Sequence, residues 1–196
     1  MRSTITPVLA SLGLAAVFAP SVAHAQCGRL TRPIAARVAT ALRPSVPDWA
    51  RSLLTPAELV RFDTTNYHEM TYFLGYAMVN IERLGMRGAP PFRATVVVRC
   101  RDQRAEVVSD PYAWANARAR ELHLTIASAE QAAGYAAEVV SMSVGRRPDG
   151  ASASRRAGVY QAEITFSARQ GETAASAPMH LAITRVGEIS QSSAAP

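Results

Sequence analysis

The sequence predicts an α+β fold, in which N-terminal helices precede an antiparallel sheet of about five strands packed against a long helix. Three observations support this prediction. Small or apolar residues recur every three or four positions from Tyr112 to Ala136, as they do on one face of a helix. Residues 93–101 and 159–168 instead alternate between apolar and polar side chains, which is typical of strands. A turn-rich connector at 85–91 separates the N-terminal helices from the first of these strands.

The predicted long helix spans residues 111–136. Asp110 is suited to cap its first turn, and Pro111 fits the first helical position. Alanine, arginine, glutamate and glutamine, which are strong helix formers, make up much of the segment. A segment rich in valine and serine follows at 139–144 and predicts a strand.

A second interpretation divides this long helix. Residues 122–126 alternate between apolar and polar side chains, as a strand would. Ser128 and Gln131 then have the spacing of a capping box, which would start a shorter helix. The many alanines of the region suit a strand poorly, so the single helix is favoured.

Four short motifs in this region lie in the order of a known family: Asp110-Pro111, Ala117-Arg118-Ala119-Arg120, Ala132-Ala133-Gly134 and Val140-Ser141-Met142-Ser143. Over residues 108–168 the chain therefore resembles the SIMPL-domain family of exported bacterial proteins. The resemblance implies a periplasmic or outer-membrane-associated role, with self-assembly and stress tolerance, and a loop at 146–156 before the strand at 159–168. It assigns no catalytic residues.

Residues 1–25 have the features of a secretory signal peptide. Arg2 is followed by an apolar run at 8–18, and Ala23-His24-Ala25 is a small-x-small cleavage site. The run is too short to span a bilayer, and we expect no transmembrane segment in the mature chain. Cleavage would leave one domain over residues 26–189 and a disordered polar tail at 190–196. We therefore expect a periplasmic or secreted protein of a Gram-negative bacterium.

Cys27 and Cys100 are the two cysteines of the chain. An even count in an oxidising compartment predicts one disulfide, which would attach the mature N-terminus to a central strand. The thiol of Cys100 should point into the core, because it shares a strand face with Val96 and Val98. A redox pair is disfavoured, since the two residues lie far apart in sequence. Lipid attachment at Cys27 is also disfavoured, because Gln26 precedes it.

Two helical segments are predicted before the first strand. Ile34, Val38 and Leu42 indicate an amphipathic helix within 29–43. Thr55-Pro56 starts a second helical pattern that continues to Leu84, with residues 63–65 as a potential break into helices 56–62 and 65–84. Four aromatic residues of that pattern could line a ligand groove, but core packing is the favoured interpretation: Tyr67, Tyr72, Phe73 and Tyr76.

The remaining segments complete the predicted sheet. Residues 105–109 form a second strand after the turn at 102–104, and Met179, Leu181 and Ile183 mark the inward face of the last strand.

The sequence contains no nucleophile elbow, zinc-protease motif or phosphate-binding loop. His68, His123 and His180 lie at no metal-ligand spacing from one another or from a cysteine. His68 and Glu69 could form half of an acid–base site, although a structural histidine is favoured. We therefore predict no catalytic, cofactor-binding or metal-binding residues.

All 21 basic residues are arginine, and the formal net charge is +6. Three of them flank the hairpin at 99–104, and four lie in the predicted loop at 146–156. Because no aromatic residues are interleaved with them, we expect no nucleic-acid partner. Acidic envelope polymers or anionic lipid surfaces are the better candidates for binding by these arginines.

These observations favour an exported, non-enzymatic cell-envelope protein that acts as an interaction or assembly module. Its expected partners are further copies of itself or other envelope proteins. The alternative is a periplasmic binder of a small ligand or an anionic envelope polymer, which requires a concave cavity with converging polar groups. An enzyme of unrecognised type is the third hypothesis, and it requires two titratable groups that face one cleft.

Overall fold

The computed structural model describes residues 27–51, 55–59, 67–83, 92–168 and 176–192, so the predicted signal peptide at 1–25 lies outside the described residues. The helices of the described part are α1 (Arg32–Leu42), α2 (Asp48–Arg51), α3 (Pro56–Leu59), α4 (Pro111–Glu121) and α5 (Ala129–Val144). The strands are β1 (Tyr67–Glu69), β2 (Tyr76–Arg83), β3 (Phe92–Arg99), β4 (Arg104–Val107), β5 (Gly150–Arg156), β6 (Val159–Thr165), β7 (Met179–Ile183) and β8 (Ile189–Gln191).

The fold is α+β, as predicted, but its strands form two antiparallel sheets of four strands rather than one sheet of about five. The first sheet has the order β1-β2-β3-β4, and the second has the order β5-β6-β7-β8. Within each sheet, every strand therefore pairs with its neighbours in sequence. The strands predicted at 93–101, 105–109, 159–168 and 179–183 are confirmed as β3, β4, β6 and β7.

The two sheets and the helices lie in successive layers. One face of the first sheet packs against α1, and its other face packs against α4 and α5. The opposite side of α5 covers β5, β6 and β7 of the second sheet. Apolar side chains of the second sheet, such as Tyr160, Ile164 and Leu181, complete this core. The first sheet is thus buried on both faces, whereas the second is buried on one.

The single helix predicted over 111–136 is wrong, because α4 ends at Glu121 and α5 begins only after Ser128. Between them, residues 122–127 run alongside the β7–β8 turn, where the Ile126 N–H donates to the Arg185 carbonyl at 2.8 Å. The second interpretation is right about the new helix start. The Ser128 Oγ accepts from the Gln131 N–H, and the Gln131 Oε1 accepts from the Ala127 N–H. No strand forms at 122–126.

The strand predicted at 139–144 is also wrong, because these residues form the last turns of α5. Val139, Val140 and Met142 are buried between the two sheets. The helix ends at Gly145, which adopts a left-handed conformation with φ of 75° that glycine tolerates well. At the other end of this region, the Asp110 cap is confirmed, since its Oδ1 accepts from the Ala113 N–H at 3.0 Å.

Of the helical pattern predicted from 56 to 84, residues 56–59 are helical, whereas residues 67–83 contain β1 and β2 and are not. Residues 60–66 and 84 lie outside the described part. The strand β2 has buried side chains on both faces, so its apolar residues do not alternate with polar ones. Ala77, Val79 and Ile81 face α1, whereas Tyr76 and Met78 face α4 and α5. Such a continuous apolar run fits helical spacing by coincidence.

The loop predicted at 146–156 is largely a strand. β5 pairs with β6 along its whole length, from Gly150 opposite Thr165 to Arg156 opposite Val159. A two-residue turn joins them, with φ of 49° at Ala157 and 84° at Gly158, which matches the right-handed twist of a hairpin. The short β8 extends to Gln191, two residues into the predicted tail; residues 193–196 lie outside the described part.

The predicted helix within 29–43 and the predicted disulfide are both confirmed. Ile34, Val38 and Leu42 of α1 are fully buried against the first sheet. Cys27 and Cys100 form a disulfide with a Cα–Cα distance of 5.1 Å, in the same core. It attaches the segment before α1 to the end of β3. No helix of the described part is long and apolar enough to cross a membrane.

Candidate interaction surface

The aromatic cluster of Tyr67, Tyr72, Phe73 and Tyr76 packs in the core and does not line a ligand groove, which is the interpretation that the sequence favours. Phe73 is fully buried and makes contacts with the rings of Trp114 and Tyr135 at centroid distances of 5.0 and 5.6 Å. Tyr76 packs edge-on against the same Trp114, and Tyr72 packs edge-on against Tyr135. Tyr67 points to the other face of the first sheet, where its hydroxyl donates to the Cys27 Sγ at 3.4 Å.

His68 and Glu69 do not form an acid–base pair that faces one cleft. They are successive residues of β1, so their side chains lie on opposite faces of the first sheet. Burial, and to a lesser extent the charge of Arg147, lowers the pKa of His68 below its ordinary value of 6.5. No group of three or more potential metal ligands occurs among the described residues.

Glu138 is a half-buried carboxylate with a structural role. From the middle of α5 its two oxygens accept the backbone N–H groups of Thr71 and Tyr72, at 2.7 and 3.2 Å. Burial raises the pKa of Glu138, although these hydrogen bonds act in the opposite direction. Both oxygens therefore hold the loop between β1 and β2.

The arginines predicted to lie in one loop do not form one patch. The Arg146 guanidinium lies 4.8 Å from the centre of the Phe166 ring and donates to the Ser167 carbonyl. Arg155 lies at 5.9 Å from the Tyr160 ring centre. Both positions are typical of cation–π contacts, which hold the side chains against the second sheet.

The edges of the two sheets differ in how well they are protected. β1 and β8 are three residues long, and β4 packs beside α1. At β8, the Asn116 side chain imitates a neighbouring strand, because its amide donates to the Ile189 carbonyl at 3.0 Å and accepts from the Ile189 N–H at 2.7 Å. A side chain of α4 thus closes that edge.

The fourth edge, at β5, is open. This strand has seven residues, and no hydrogen bond to its outer edge is formed by any residue in the described ranges. Its side chains are small up to Ser154, and five of its seven residues are exposed. A long edge with unpaired N–H and C=O groups is a template for another strand. Natural proteins usually protect such edges, so this one is the best candidate for an interaction surface.

Comparison of the chain with models of known protein families, with curated proteins and with solved structures finds no match. The assignment of a function therefore depends on the geometry of the chain itself.

The β5 edge is not predicted from the sequence, because the segment is made of glycine, alanine, serine and arginine and has the composition of a loop. One signal was present. Ala157-Gly158 lies between two segments of equal length, the second of which alternates clearly, and a glycine in a two-residue connection is typical of a hairpin.

Proposed function

We propose that this chain is an exported, non-enzymatic interaction module of the cell envelope that assembles through the edge of β5. The observation that carries the proposal is that β5 is open while β8, the opposite edge of the same sheet, is closed by Asn116. Main-chain hydrogen bonds to an open edge provide affinity for an extended partner strand.

A second copy of this chain is the proposed partner. In an antiparallel pair of β5 strands with Ala153 of one copy opposite Ala153 of the other, Arg156 of one copy lies opposite Gly150 of the other, beside Asp149. Both charged residues are exposed, so the pairing brings opposite charges together at each end of the joined strands. The exposed Ser152 and Ser154 offer no bulk that would prevent approach.

Three features support export. Residues 1–25 have the pattern of a signal peptide, and the resemblance to the SIMPL-domain family implies an exported protein that self-assembles. The disulfide between Cys27 and Cys100 fits an oxidising compartment such as the periplasm. A periplasmic binder of a small ligand is the second candidate, and a pocket at the end of the first sheet, lined by Arg99, Arg104 and Arg118, favours it.

Size-exclusion chromatography with light scattering on residues 26–196 tests the assembly. We expect a dimer at protein concentrations of tens of micromolar, because the dissociation constant of a modest edge contact is on the order of tens of micromolar. A strict monomer under these conditions would contradict the proposal.

Two neighbouring proline variants provide a matched control for the edge. Successive residues of an edge strand direct their N–H groups alternately towards the sheet and away from it. Of Ala153→Pro and Ser154→Pro, one therefore loses a bond to β6 and is destabilised, whereas the other blocks only the outer edge. We expect the variant with unchanged thermal stability to be monomeric. If that folded variant still forms dimers, β5 is not the contact.

A further inference from the structure

A small pocket lies at the end of the first sheet, beneath α4. It has a volume of about 220 Å³ and is lined by Tyr76, Arg99, Arg104, Glu106 and Arg118. Arg99 and Arg104 are paired across β3 and β4, and Tyr76 of β2 is paired with the same Arg99. Arg118 comes from α4. Three guanidinium groups from three elements therefore converge with one phenol hydroxyl.

Two of these arginines are held in place by carboxylates at the border of the pocket. The Arg99 Nε donates to the Asp102 Oδ1 at 3.0 Å, and its Nη2 pairs with the Asp102 Oδ2. The Arg118 Nη1 donates to the Tyr76 hydroxyl at 3.3 Å and pairs with Glu121. These contacts orient both guanidinium groups and leave part of their hydrogen-bonding capacity unused.

Two arginines of the lining have donors without a partner in the described part of the chain. The Nε of Arg118 is buried and has no hydrogen-bond partner among the described residues. The Arg104 guanidinium has neither an ion pair nor a hydrogen bond with any residue in the described ranges, although its backbone N–H donates to the Asp102 Oδ1. Arg104 is exposed, so its donors face solvent, whereas a buried unpaired donor such as the Arg118 Nε usually marks the position of a water molecule or an ion.

The charge of the lining favours an anion. The lining has three arginines and one carboxylate, Glu106, which accepts a hydrogen bond from the Trp114 indole N–H. Asp102 and Glu121 pair with Arg99 and Arg118 from the border, so Arg104 is the guanidinium of the lining without a paired carboxylate among the described residues. Guanidinium groups are planar donors that match the oxygens of carboxylate and phosphate groups. The small volume excludes a large ligand group from the pocket. We infer that this pocket binds a small oxyanion with carboxylate or phosphate chemistry, independently of assembly at β5.

Isothermal titration calorimetry of residues 26–196 with inorganic phosphate, and separately with acetate, tests the inference at an ionic strength fixed with sodium chloride. We expect saturable binding of at least one of the two anions, and the preferred anion identifies the chemistry of the ligand. Arg104→Gln should weaken that binding about 10-fold or more, since a charge-assisted pair contributes on the order of one factor of ten.

Arg43→Gln is the matched control, because it removes the same charge from an exposed arginine at the end of α1, away from the lining residues. We expect it to leave the affinity within about twofold. Neither side chain makes an ion pair with a described residue, so both variants should fold. The inference is overturned if neither anion binds saturably, or if both variants weaken binding equally, which would indicate general attraction to the positive surface.

Discussion

The carboxylate of Glu138 connects α5 to the loop between β1 and β2. It accepts two backbone N–H groups of that loop, at Thr71 and Tyr72, and thereby fixes the residues that precede the buried Phe73. Burial nevertheless raises the pKa of Glu138 above the ordinary value of 4.5, so folding favours the protonated form of this residue.

The stability of the protein should therefore depend on pH through Glu138. With a raised folded-state pKa, its contribution is complete below pH 4.5 and is lost as the pH rises through the raised value. We expect the free energy of unfolding of the wild type, minus that of Glu138→Gln, to fall as the pH increases over this window. Urea unfolding of both proteins from about pH 4 to about pH 8 measures the difference.

Glu130→Gln serves as the control, because Glu130 is exposed on the first turn of the same helix. The difference in free energy of unfolding between the wild type and Glu130→Gln should change much less over the same pH range. If the free energy of unfolding of the wild type minus that of Glu138→Gln instead rises with pH, the backbone hydrogen bonds, rather than burial, determine the direction of the pKa shift of Glu138.

At the scale of the element, α5 depends on a close approach at Gly134. A Cβ at this position would lie 2.2 Å from the Tyr72 hydroxyl oxygen and 3.0 Å from the ring carbon that bears it. Tyr72 is held by its ring contact with Tyr135 and cannot move away freely. Gly134 thus lies inside α5, where it makes room for an aromatic ring.

Gly134→Ala should therefore destabilise the protein, although the same substitution inside an exposed helix stabilises it by about 1 kcal/mol. In a Tyr72→Ala background the clash is absent, and we expect Gly134→Ala to become neutral or stabilising. Urea unfolding of the four proteins gives both effects as a double-mutant cycle. Equal effects in the two backgrounds would show that Tyr72 is not the obstacle.

At the scale of the whole molecule, the disulfide connects the segment before α1 to the end of β3. Cys27 is completely buried and Cys100 is 5% exposed, and the two lie 73 residues apart in sequence. The bridge encloses α1 and most of the first sheet. In the chain-entropy view, it restricts the unfolded chain and thereby stabilises the native fold.

Reduction should lower the free energy of unfolding by about 4 kcal/mol, as expected for a closed loop of this length. Urea unfolding with and without a reducing agent measures the loss. The double variant Cys27→Ala/Cys100→Ala should be as unstable as the reduced wild type and should not respond to the reducing agent. Mass spectrometry of residues 26–196 under alkylating, non-reducing conditions should show a linked peptide pair; two alkylated cysteines would contradict the bridge.

Local signals in the sequence determined several parts of this fold. The caps at Asp110 and Ser128 depend on residues three positions apart, and the alternation of β6 and β7 follows from burial of one face of their sheet. The disulfide followed from the cysteine count and from the face on which Cys100 lies.

Tertiary structure decided the rest, because those residues take their conformation from distant partners. β2 is buried between α1 and α5, so its apolar run carries no period that identifies a strand. The strand β5 has the composition of a loop and is fixed by pairing with β6. Whether an edge is open or closed depends on a side chain such as Asn116, 73 residues from its partner Ile189. Likewise, no local pattern brings Arg118 to Arg99 and Arg104; only the packing of α4 on the first sheet does so.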